Sequence, residues 1–547
     1  MSNVTQTCLL ITLLALLTPG VHGTTADQEK TWLDELTGYL NWGEEEGGGG
    51  EEEPVNKKVK KPHILYVVMD DQGYGDVGYT YPEQADMRTP LLDKLASEGL
   101  IMNRHYSAWM CTPTRASIMT GRYPITLGIQ HDVFQPNTEE CLNEKELLLP
   151  EVIRHNGYAT HLVGKWHLGY ARWSCFPCMR GFDTAYGYIN GETGYIDHMI
   201  SGYYDFYQCS YNEKNGLKWK ILKEDKGVYS LYLYNKRVRH IVKQHDPNTP
   251  LFLYLPMQSV HASYYAPEKY YDCTDTKRCT MQAMLSAAEE LLTDVIQYFK
   301  DAGMWDNTLL VYHSDNGAPK SSYTSNGPLR GTKSHLWEGG VRTVGFLYSE
   351  NKELLPHRGY TDCYVHVADW YNTLVAISGG WTAYAKKTGL EMPAKLDSID
   401  QSRHLLFNDT NTCPRTQIML HIDPVKRVAG YMKNQHKLLI GPQDSSASCD
   451  DATFYPLNIS SIDFSIIELY NIWADPNEAE NIADENPDIV ADLRRDVTDY
   501  LSHQSPLQCQ LPTLDDSYPS DEVPYYLPWD FTRDNLPASA YEYNTVT

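Results

Sequence analysis

A continuous apolar run at residues 63–69, His-Ile-Leu-Tyr-Val-Val-Met, is the first strong structural signal in this chain. Apolar residues at successive positions indicate a strand buried on both faces, because a strand with one solvated face would alternate apolar and polar residues. Similar runs recur at 159–163, 251–255 and 308–313. The pattern therefore predicts at least four strands inside a sheet.

Stretches with helical spacing of apolar residues lie between and around these strands, at 90–99, 116–120, 149–156 and 281–302. Strands that alternate with helices predict an α/β domain with a large, mostly parallel sheet flanked by helices. We place this domain at residues 62–417.

From residue 418 the pattern changes to short β-like runs, at 428–432 and 436–440, and then to a helix at 487–501. This change predicts a smaller C-terminal α+β domain with a tail, residues 418–547.

The N-terminal segment has a different character. Residues 8–17 form a short apolar core followed by Val21-His22-Gly23, which is typical of a secretory signal peptide at 1–23. A membrane anchor is the alternative, but the run is too short to span a bilayer. Residues 24–61 are an acidic, low-complexity leader that we expect to be disordered. The sequence predicts a soluble protein of the secretory pathway, lysosomal or extracellular.

The cysteine content fits that compartment. Of twelve cysteines, Cys8 lies in the signal segment and Cys111 in a motif described below, which leaves ten, an even number, for disulfides. Sequons at Asn408 and Asn458 predict glycans, with unmodified polar turns as the alternative. A net charge of −25 argues against nucleic acid as a partner, and an anionic substrate would need a locally positive pocket.

Polar side chains follow two of the predicted strands. Asp70 and Asp71 come directly after the strand at 63–69, and Asp315 and Asn316 follow the strand at 308–313. Open α/β sheets place ligands at the carboxyl ends of their strands. Hard oxygen ligands without His or Cys suit Ca²⁺ or Mg²⁺. Each pair taken alone also fits an ordinary turn, but two strand ends with the same chemistry favour a metal site.

Cys111 stands in the frame Cys-Thr-Pro-Thr-Arg, and Pro113 suits the first turn of a helix. A helix N-terminus stabilises negative charge, which suits a nucleophile that attacks an anionic ester. Arg115, four residues on, would face the same site. The alternatives are a buried structural thiol or half of a disulfide for Cys111, and a surface residue for Arg115.

A further set of basic residues follows other strands. Lys165 and His167 alternate on an extended segment, so both side chains can point the same way, where a cation and an imidazole can hold an oxyanion and move a proton. His261 follows the strand at 251–255, and Lys333 lies in Leu-Arg-Gly-Thr-Lys. Each of these last two, taken alone, is more often an ordinary solvated side chain.

Longer runs resemble a known family. CTPTRASIMTGR and GYATHLVGKWH look like the two signature segments of type I, formylglycine-dependent sulfatases. The agreement continues through VVMDDQGYGD, SDNG, GTKSHLWEGGVR and ELYNIWADPNEAENIA, over roughly residues 62–485. Within the family the runs look closest to arylsulfatase B, the N-acetylgalactosamine-4-sulfatase. The resemblance implies an alkaline-phosphatase-like sulfatase fold.

The resemblance also implies the chemistry. In this family the formylglycine-generating enzyme oxidises the motif cysteine, here Cys111, to an aldehyde whose hydrate is the nucleophile. Arg115 would orient this hydrate, and Lys165 and Lys333 would bind the sulfate. Proton transfers would fall to His167, His261 and Asp315. One Ca²⁺ would be bound by Asp70, Asp71, Asp315, Asn316 and the modified Cys111.

The same resemblance implies disulfides between Cys141 and Cys175 and between Cys413 and Cys449. Cys273 and Cys279 are near enough in sequence to close a small loop. The pairing of the remaining four, Cys178, Cys209, Cys363 and Cys509, stays open because spacing does not determine connectivity. Trp109, bulkier than the family's usual residue there, would narrow the pocket mouth.

The predicted function is hydrolysis of a sulfate ester of a sugar, such as the N-acetylgalactosamine 4-sulfate end of a glycosaminoglycan, or of an aryl sulfate. One alternative is a phosphatase or phosphodiesterase of the same superfold, since a fold does not determine the reaction. Another is an extracellular binding homologue without catalysis, which would leave Cys111 unmodified.

Overall fold

The computed structural model describes residues 60–501 and 507–508, apart from 83–86, 137, 274–275, 322, 408–412, 450–453, 456–459 and 461. The predicted signal peptide and nearly all of the acidic leader lie outside the described residues. So do both sequon positions, Asn408 and Asn458. Residues Lys61–Thr547 group into one compact unit.

A ten-stranded sheet forms the centre of this unit. In chain order its strands are β1 (His63–Met69), β2 (Leu100–Met102), β3 (Ala159–Lys165), β4 (Thr184–Tyr188), β5 (Tyr207–Asn212), β6 (Gly216–Ile221), β7 (Leu251–Pro256), β8 (Thr308–Ser314), β9 (Gly345–Tyr348) and β10 (Gly359–Thr361). The four strands predicted from apolar runs are all present, and β1 has the predicted bounds.

The strand order across the sheet is β10-β2-β9-β8-β1-β7-β3-β4-β5-β6. The five central strands, from β8 to β4, are mutually parallel. In register, Leu65 of β1 lies between Leu253 of β7 and Leu310 of β8. Strands β9, β5 and β6 join by antiparallel pairing. The carboxyl ends of five neighbouring strands therefore lie along one edge of the sheet.

Helices cover both faces of this sheet. In chain order they are α1 (Pro90–Glu98), α2 (Cys111–Thr120), α3 (Pro124–Leu127), α4 (Leu149–His155), α5 (Ser230–Gln244), α6 (Lys277–Asp301), α7 (Glu338–Val341), α8 (Asp369–Ile377), α9 (Gly380–Thr388), α10 (Ser402–Phe407) and α11 (Pro487–Leu501). Apolar residues of α1, α5 and α6 pack on one face, and those of α2, α4 and α8 pack on the other. This three-layer arrangement confirms the predicted α/β class.

A second, antiparallel sheet follows. Its strands β11 (Gln417–Asp423), β12 (Val428–Lys433), β13 (His436–Ile440) and β14 (Ile467–Asn471) are adjacent in this order. Helix α11 packs on this sheet. Apolar residues of the sheet and of α11 form one core with residues of the α/β part that flank α2, among them Trp109 and Tyr123. The smaller sheet therefore shares a core with the region around residue 111.

The disulfides correct one prediction. Cys141–Cys175, Cys178–Cys209 and Cys273–Cys279 are present, the first and third as expected. The predicted Cys413–Cys449 pair is wrong, because Cys413 is bonded to Cys363, with Cα atoms 5.2 Å apart.

Cys449 is disulfide-bonded as well. Cys111 is the one free cysteine among the described residues, and it is buried. Four disulfides in the described part fit an oxidising compartment, the secretory pathway. No helix in the described part of the chain is both long enough and apolar enough to span a bilayer.

Candidate active site

Four neighbouring parallel strands deliver the predicted site residues to one edge of the sheet. Asp70 and Asp71 follow β1, and Asp315 and Asn316 follow β8. Lys165 ends β3 and is followed by His167, while His261 lies five residues after β7. Cys111 and Arg115 come from α2, which begins at Cys111, and Lys333 comes from the loop before α7. The structure brings all of these residues together.

Three carboxylates form the centre of the site. The side chains of Asp70 and Asp315 are fully buried, and that of Asp71 is 4% exposed. The backbone N–H of Asp71 donates to Asp315 Oδ1 at 3.1 Å, so the two strand ends are joined directly. Three buried carboxylates at one point repel one another, and they persist only where positive charge compensates them.

Asn316 completes an oxygen-rich set. Its Nδ2 donates to Asp71 Oδ1 at 2.7 Å, whereas its Oδ1 is buried without a hydrogen-bond partner among the described residues. Ligand atoms of Asp70, Asp71, Cys111 and His261 lie within 4.8 Å of one another. An acceptor oxygen left over beside clustered carboxylates fits a hard divalent cation, so the residues present suit Ca²⁺.

Three cations surround the carboxylates. Lys165 Nζ lies 3.0 and 2.8 Å from the two oxygens of Asp70. Arg115 donates to Asp315 Oδ2 from Nε at 3.2 Å and from a terminal nitrogen at 2.8 Å. The Arg115 side chain is 1% exposed, which excludes the alternative of a surface arginine.

Lys333 connects the carboxylates to the candidate nucleophile. Its Nζ lies 2.6 Å from Asp71 Oδ1 and 3.3 Å from Cys111 Sγ. Its side chain is 16% exposed, so this amine faces both the buried centre and the entrance. An anionic group that reaches residue 111 from solvent would therefore meet Lys333.

The two histidines differ in environment. His167 is 2% exposed; its Nε2 is 3.2 Å from the carbonyl of Phe134, and its Nδ1 has no partner among the described residues. His261 is 15% exposed, with Nε2 at 3.6 Å from Asp71 Oδ2 and Nδ1 at 2.7 Å from the carbonyl of Ala262. His261 is therefore the more accessible of the two histidines, and His167 lies in the interior.

Two of these residues have strained backbones. Asp71 has φ +61° and His167 has φ +55°, values in the left-handed region that non-glycine residues adopt at a cost of about 1–3 kcal/mol. Both occur directly after parallel strands, where the chain must turn to aim a side chain into the site. Gly317 has a related role, because a Cβ there would lie 1.9 Å from the carbonyl oxygen of Gly339.

The charges in the site shift one another's pKa values. Burial acts to raise the pKa of Asp71 and of Asp315, but the surrounding cations hold both below their usual range. The same carboxylates hold the pKa of Lys333 well above its usual value, against burial. Burial, with Lys165 and Arg115 nearby, lowers the pKa of His167 well below its usual value, so this imidazole is neutral and able to accept a proton.

Sequence reasoning did not identify several groups at the entrance. Tyr264 and Tyr323 stack with ring centroids 4.0 Å apart, and Glu192 Oε2 lies 3.7 Å from His261 Nδ1. Trp109, expected to narrow the mouth, is only 1% exposed and lies beneath Lys426. No motif marks Tyr264, Tyr323 or Glu192, and these three become part of the entrance only through loop packing.

Known proteins are similar to this chain in both sequence and fold. A profile of the sulfatase family matches residues 62–380, more than half of the chain, and the chain belongs to this family. The protein is thus a sulfatase, an enzyme that hydrolyses sulfate esters. The predicted placement next to arylsulfatase B stays a prediction.

Among curated relatives, arylsulfatase J of Mus musculus is 34% identical over 517 residues, which are 86% of this chain and 82% of that protein. N-acetylgalactosamine-6-sulfatase of Homo sapiens is 31% identical over 309 residues, 51% of this chain and 55% of that protein.

Solved structures with the same fold include Ps i-CgsB, with a TM-score of 0.67, 23% identity and coverage of 82% of this chain and 95% of that one. The PsFucS1 sulfatase from Pseudoalteromonas sp. has a TM-score of 0.62 and 22% identity, covering 88% of this chain and 94% of that one. These likenesses establish the alkaline-phosphatase-like sulfatase fold.

Proposed function

We propose that this sulfatase removes a terminal sulfate from a sulfated sugar, with residue 111 converted to formylglycine and with one Ca²⁺ in the carboxylate cluster. The observation that carries the proposal is the position of residue 111. It lies at the first turn of a buried helix, 3.3 Å from Lys333 Nζ and 3.5 Å from Asp70 Oδ1.

The unmodified thiol is a poor nucleophile in this environment. Burial, and then the charge of Asp315, raises the pKa of the Cys111 thiol far above its usual value, so a reactive thiolate does not form near neutral pH. Cys111 also forms no disulfide. A formylglycine hydrate would supply two hydroxyls at this point, one to accept the sulfuryl group and one to release it. Conversion by the formylglycine-generating enzyme gives a cysteine in this position a function.

The metal would be held by Asp70, Asp71, Asp315, Asn316 and residue 111. Three carboxylates, an amide oxygen and a hydroxyl form the hard donor set that Ca²⁺ prefers. The cation would stabilise negative charge on the sulfate and on the nucleophile.

The chain's own residues then have separate tasks. Lys333, near the entrance, and Lys165, fully buried, bind the sulfate oxygens from two sides. Arg115 orients the hydrate and keeps Asp315 ionised, so this carboxylate can accept a proton from the attacking hydroxyl. His261 lies at the entrance and donates a proton to the leaving alcohol. His167, neutral and buried, accepts a proton when sulfate is released.

The shape of the site supports a terminal sulfate as substrate. Residue 111 is 2% exposed, and the most open polar side chains beside it, Lys333 and His261, are 16% and 15% exposed. So little exposure at the reaction centre favours a sulfate at a chain end over one in the middle of a polymer, because an internal sulfate would have to bring two neighbouring sugars to the buried residue. The net charge of −25 also disfavours binding of a long polyanion. Within this class we propose the 4-sulfate of N-acetylgalactosamine, as in chondroitin or dermatan sulfate.

The experiment combines mass and activity. In the secreted wild-type protein, the tryptic peptide that contains residue 111 should carry formylglycine, and the enzyme should hydrolyse 4-nitrocatechol sulfate and a 4-sulfated disaccharide. Cys111→Ser should be secreted with an unchanged melting temperature and lose turnover. Asp315→Ala should lose both turnover and bound Ca²⁺, whereas Glu289→Gln, a buried carboxyl elsewhere, should keep both.

Three results would contradict parts of the proposal. Full activity of Cys111→Ser would exclude the formylglycine mechanism. Hydrolysis of a phosphate ester without hydrolysis of any sulfate ester would favour a phosphatase. Preference for a 6-sulfated disaccharide, or for internal sulfates of an intact polymer, would refute the 4-sulfate or the terminal assignment respectively.

A further inference from the structure

Trp109 is a buried side chain next to the candidate nucleophile. It precedes Cys111 by two residues and is 1% exposed. Its Nε1 donates to the carbonyl of Gln130 at 3.0 Å, and its ring centroid is 3.8 Å from that of His421 on β11. The indole is thus fixed between the two parts of the protein.

Lys426 lies on this indole. Its Nζ is 4.5 Å from the Trp109 ring centroid, a cation–π distance. The turn that carries Lys426 is fixed by Asp423, whose Oδ1 accepts from the backbone N–H of Lys426 at 3.0 Å and whose Oδ2 lies 2.6 Å from His131 Nδ1. Lys426 is therefore presented by a rigid turn.

The ammonium group of Lys426 has no direct polar partner in the described part of the chain. Its Nζ makes no ion pair or hydrogen bond with any of the described residues. Burial lowers the pKa of Lys426, and the attraction of Asp423 and Asp132 opposes this only in part. An anion that binds a half-buried ammonium group without a direct partner lowers the free energy, because the ammonium group has already lost part of its hydration on folding.

Lys426 is connected through Trp109 to the segments that carry Cys111 and Lys333. The backbone carbonyl of Trp109 accepts a hydrogen bond from the backbone N–H of Ser334 at 3.0 Å. The neighbouring residue, Lys333, reaches Cys111 Sγ at 3.3 Å. Only Met110 separates Trp109 from Cys111, so the Cα atoms of these two residues are at most about 7 Å apart. Lys426 contacts the indole of Trp109 and is therefore one side chain away from the segment that carries the candidate nucleophile, which suits a charged group on the alcohol half of the substrate rather than the reacting sulfate itself.

We propose that Lys426 determines specificity by binding a second anionic group, a carboxylate or another sulfate, on the alcohol half of the substrate. This inference rests on the proposed function. Lys333 and Lys165 bind the sulfate that is removed, and Lys426 binds the charge that remains on the product. The favoured substrate is then an acidic oligosaccharide end rather than a neutral monosaccharide sulfate or an aryl sulfate.

The test compares kcat/KM among three substrates: a monosulfated disaccharide with a uronate, its carboxyl-reduced counterpart, and a reduced disaccharide with a second sulfate. Wild type should prefer at least one of the two doubly charged substrates over the reduced, singly charged one. Lys426→Met keeps the apolar stem on Trp109 and should lower that preference about five- to tenfold, mainly through KM. Lys426→Arg should keep it, and Lys352→Met, at a surface position, should leave it unchanged.

The two doubly charged substrates identify whether the carboxylate or the second sulfate is recognised. Equal kcat/KM of wild type for all three substrates would overturn the inference. So would a preference that Lys426→Met leaves intact. A wild-type enzyme without activity on any sulfate ester would refute the proposed function itself, and the inference with it.

Discussion

Lys437 offers a sharp test of how the two sheets depend on each other. Its Nζ on β13 lies 2.9 Å from Glu338 Oε1 on α7 and 2.9 Å from Glu478 Oε1, and all three side chains are fully buried. Glu478 Oε2 also accepts from the backbone N–H of Glu338 at 2.6 Å. Lys437→Met keeps the length of the side chain and leaves the buried carboxylate of Glu478 without its cation, while Glu338 keeps only Arg342 as a cation, 3.5 Å away.

The expected decrease in the free energy of unfolding of Lys437→Met is large and depends on pH. Removing one partner from a buried ion pair costs about 3–5 kcal/mol. At roughly 2.1 cal/mol/K per residue, a folded unit of roughly 450 residues would lose about 4 °C in Tm for 4 kcal/mol. Burial already raises the pKa of Glu478 to about 7, above its unfolded value of 4.5, although Lys437 opposes this.

The sign of the pH effect follows from that shift. A carboxyl whose folded pKa lies above its unfolded pKa holds a proton in the folded state, so its contribution to stability falls as pH rises through 7. Without Lys437 the pKa of Glu478 rises further. Lys437→Met should therefore lose more Tm at pH 8 than at pH 5.5, as measured by thermal unfolding at both values.

Lys433 provides the matched control on the neighbouring strand. It pairs with Asp492 at 2.9 Å and Asp496 at 2.8 Å on the surface, where removal of such pairs costs about 1 kcal/mol or less. Equal losses of Tm in Lys433→Met and Lys437→Met, or a loss in Lys437→Met that is the same at both pH values, would refute the reasoning. The triple variant with Glu338→Gln and Glu478→Gln should recover most of the loss.

Two further predictions concern other buried groups. Burial raises the pKa of Glu289 from 4.5 to about 7, although the N–H of Leu92 donates to its carboxylate at 2.9 Å. Glu289→Gln should therefore match wild type at about pH 4 and have a free energy of unfolding on the order of 3 kcal/mol higher at pH 8, in unfolding monitored at both values; a constant difference would contradict this. The Cys363–Cys413 bridge spans a separation of 50 residues, so replacing both cysteines by alanine should cost about 4 kcal/mol. Peptide mapping without reduction checks the pairing, and a Cys413–Cys449 peptide would contradict it.

The agreement between sequence and structure follows the physical strength of each signal. The apolar run at 63–69 predicts β1 with its bounds, because a strand buried on both faces has no solvent-facing polar positions that would interrupt the run. The helix predicted at 116–120 begins five residues earlier, at Cys111. Its first turn, Cys-Thr-Pro-Thr, packs into the site rather than into an apolar core, so hydrophobic spacing gives no signal there.

Other features depend on contacts that no local pattern records. The parallel strand Thr184–Tyr188 mixes Thr, Ala, Tyr and Gly and has no continuous apolar run. The partner of Cys413 depends on which loop approaches it. The position of Lys426 over Trp109 requires the second sheet to pack against the start of α2. The residues proposed to act on the reacting sulfate were predictable because they stand in recognisable motifs at strand ends, at a helix start or in a loop, whereas Lys426, proposed to bind the rest of the substrate, stands in none.

The second sheet therefore has a more direct relation to catalysis than its position late in the chain suggests. It reaches the active-site region at two points: through Lys437, which neutralises Glu338 beside the glycines that pack on Gly317, and through the turn that places Lys426 on Trp109. The first contact supports the loop after Asn316 and should affect stability for every substrate alike. The second touches no group of the proposed sulfate chemistry and should affect only the choice of alcohol. Lys437→Met should therefore change Tm without changing the ratio of kcat/KM between acidic and neutral sugars, and Lys426→Met should do the reverse. If both variants changed the same quantity, the second sheet would act as a single support rather than through two separate contacts.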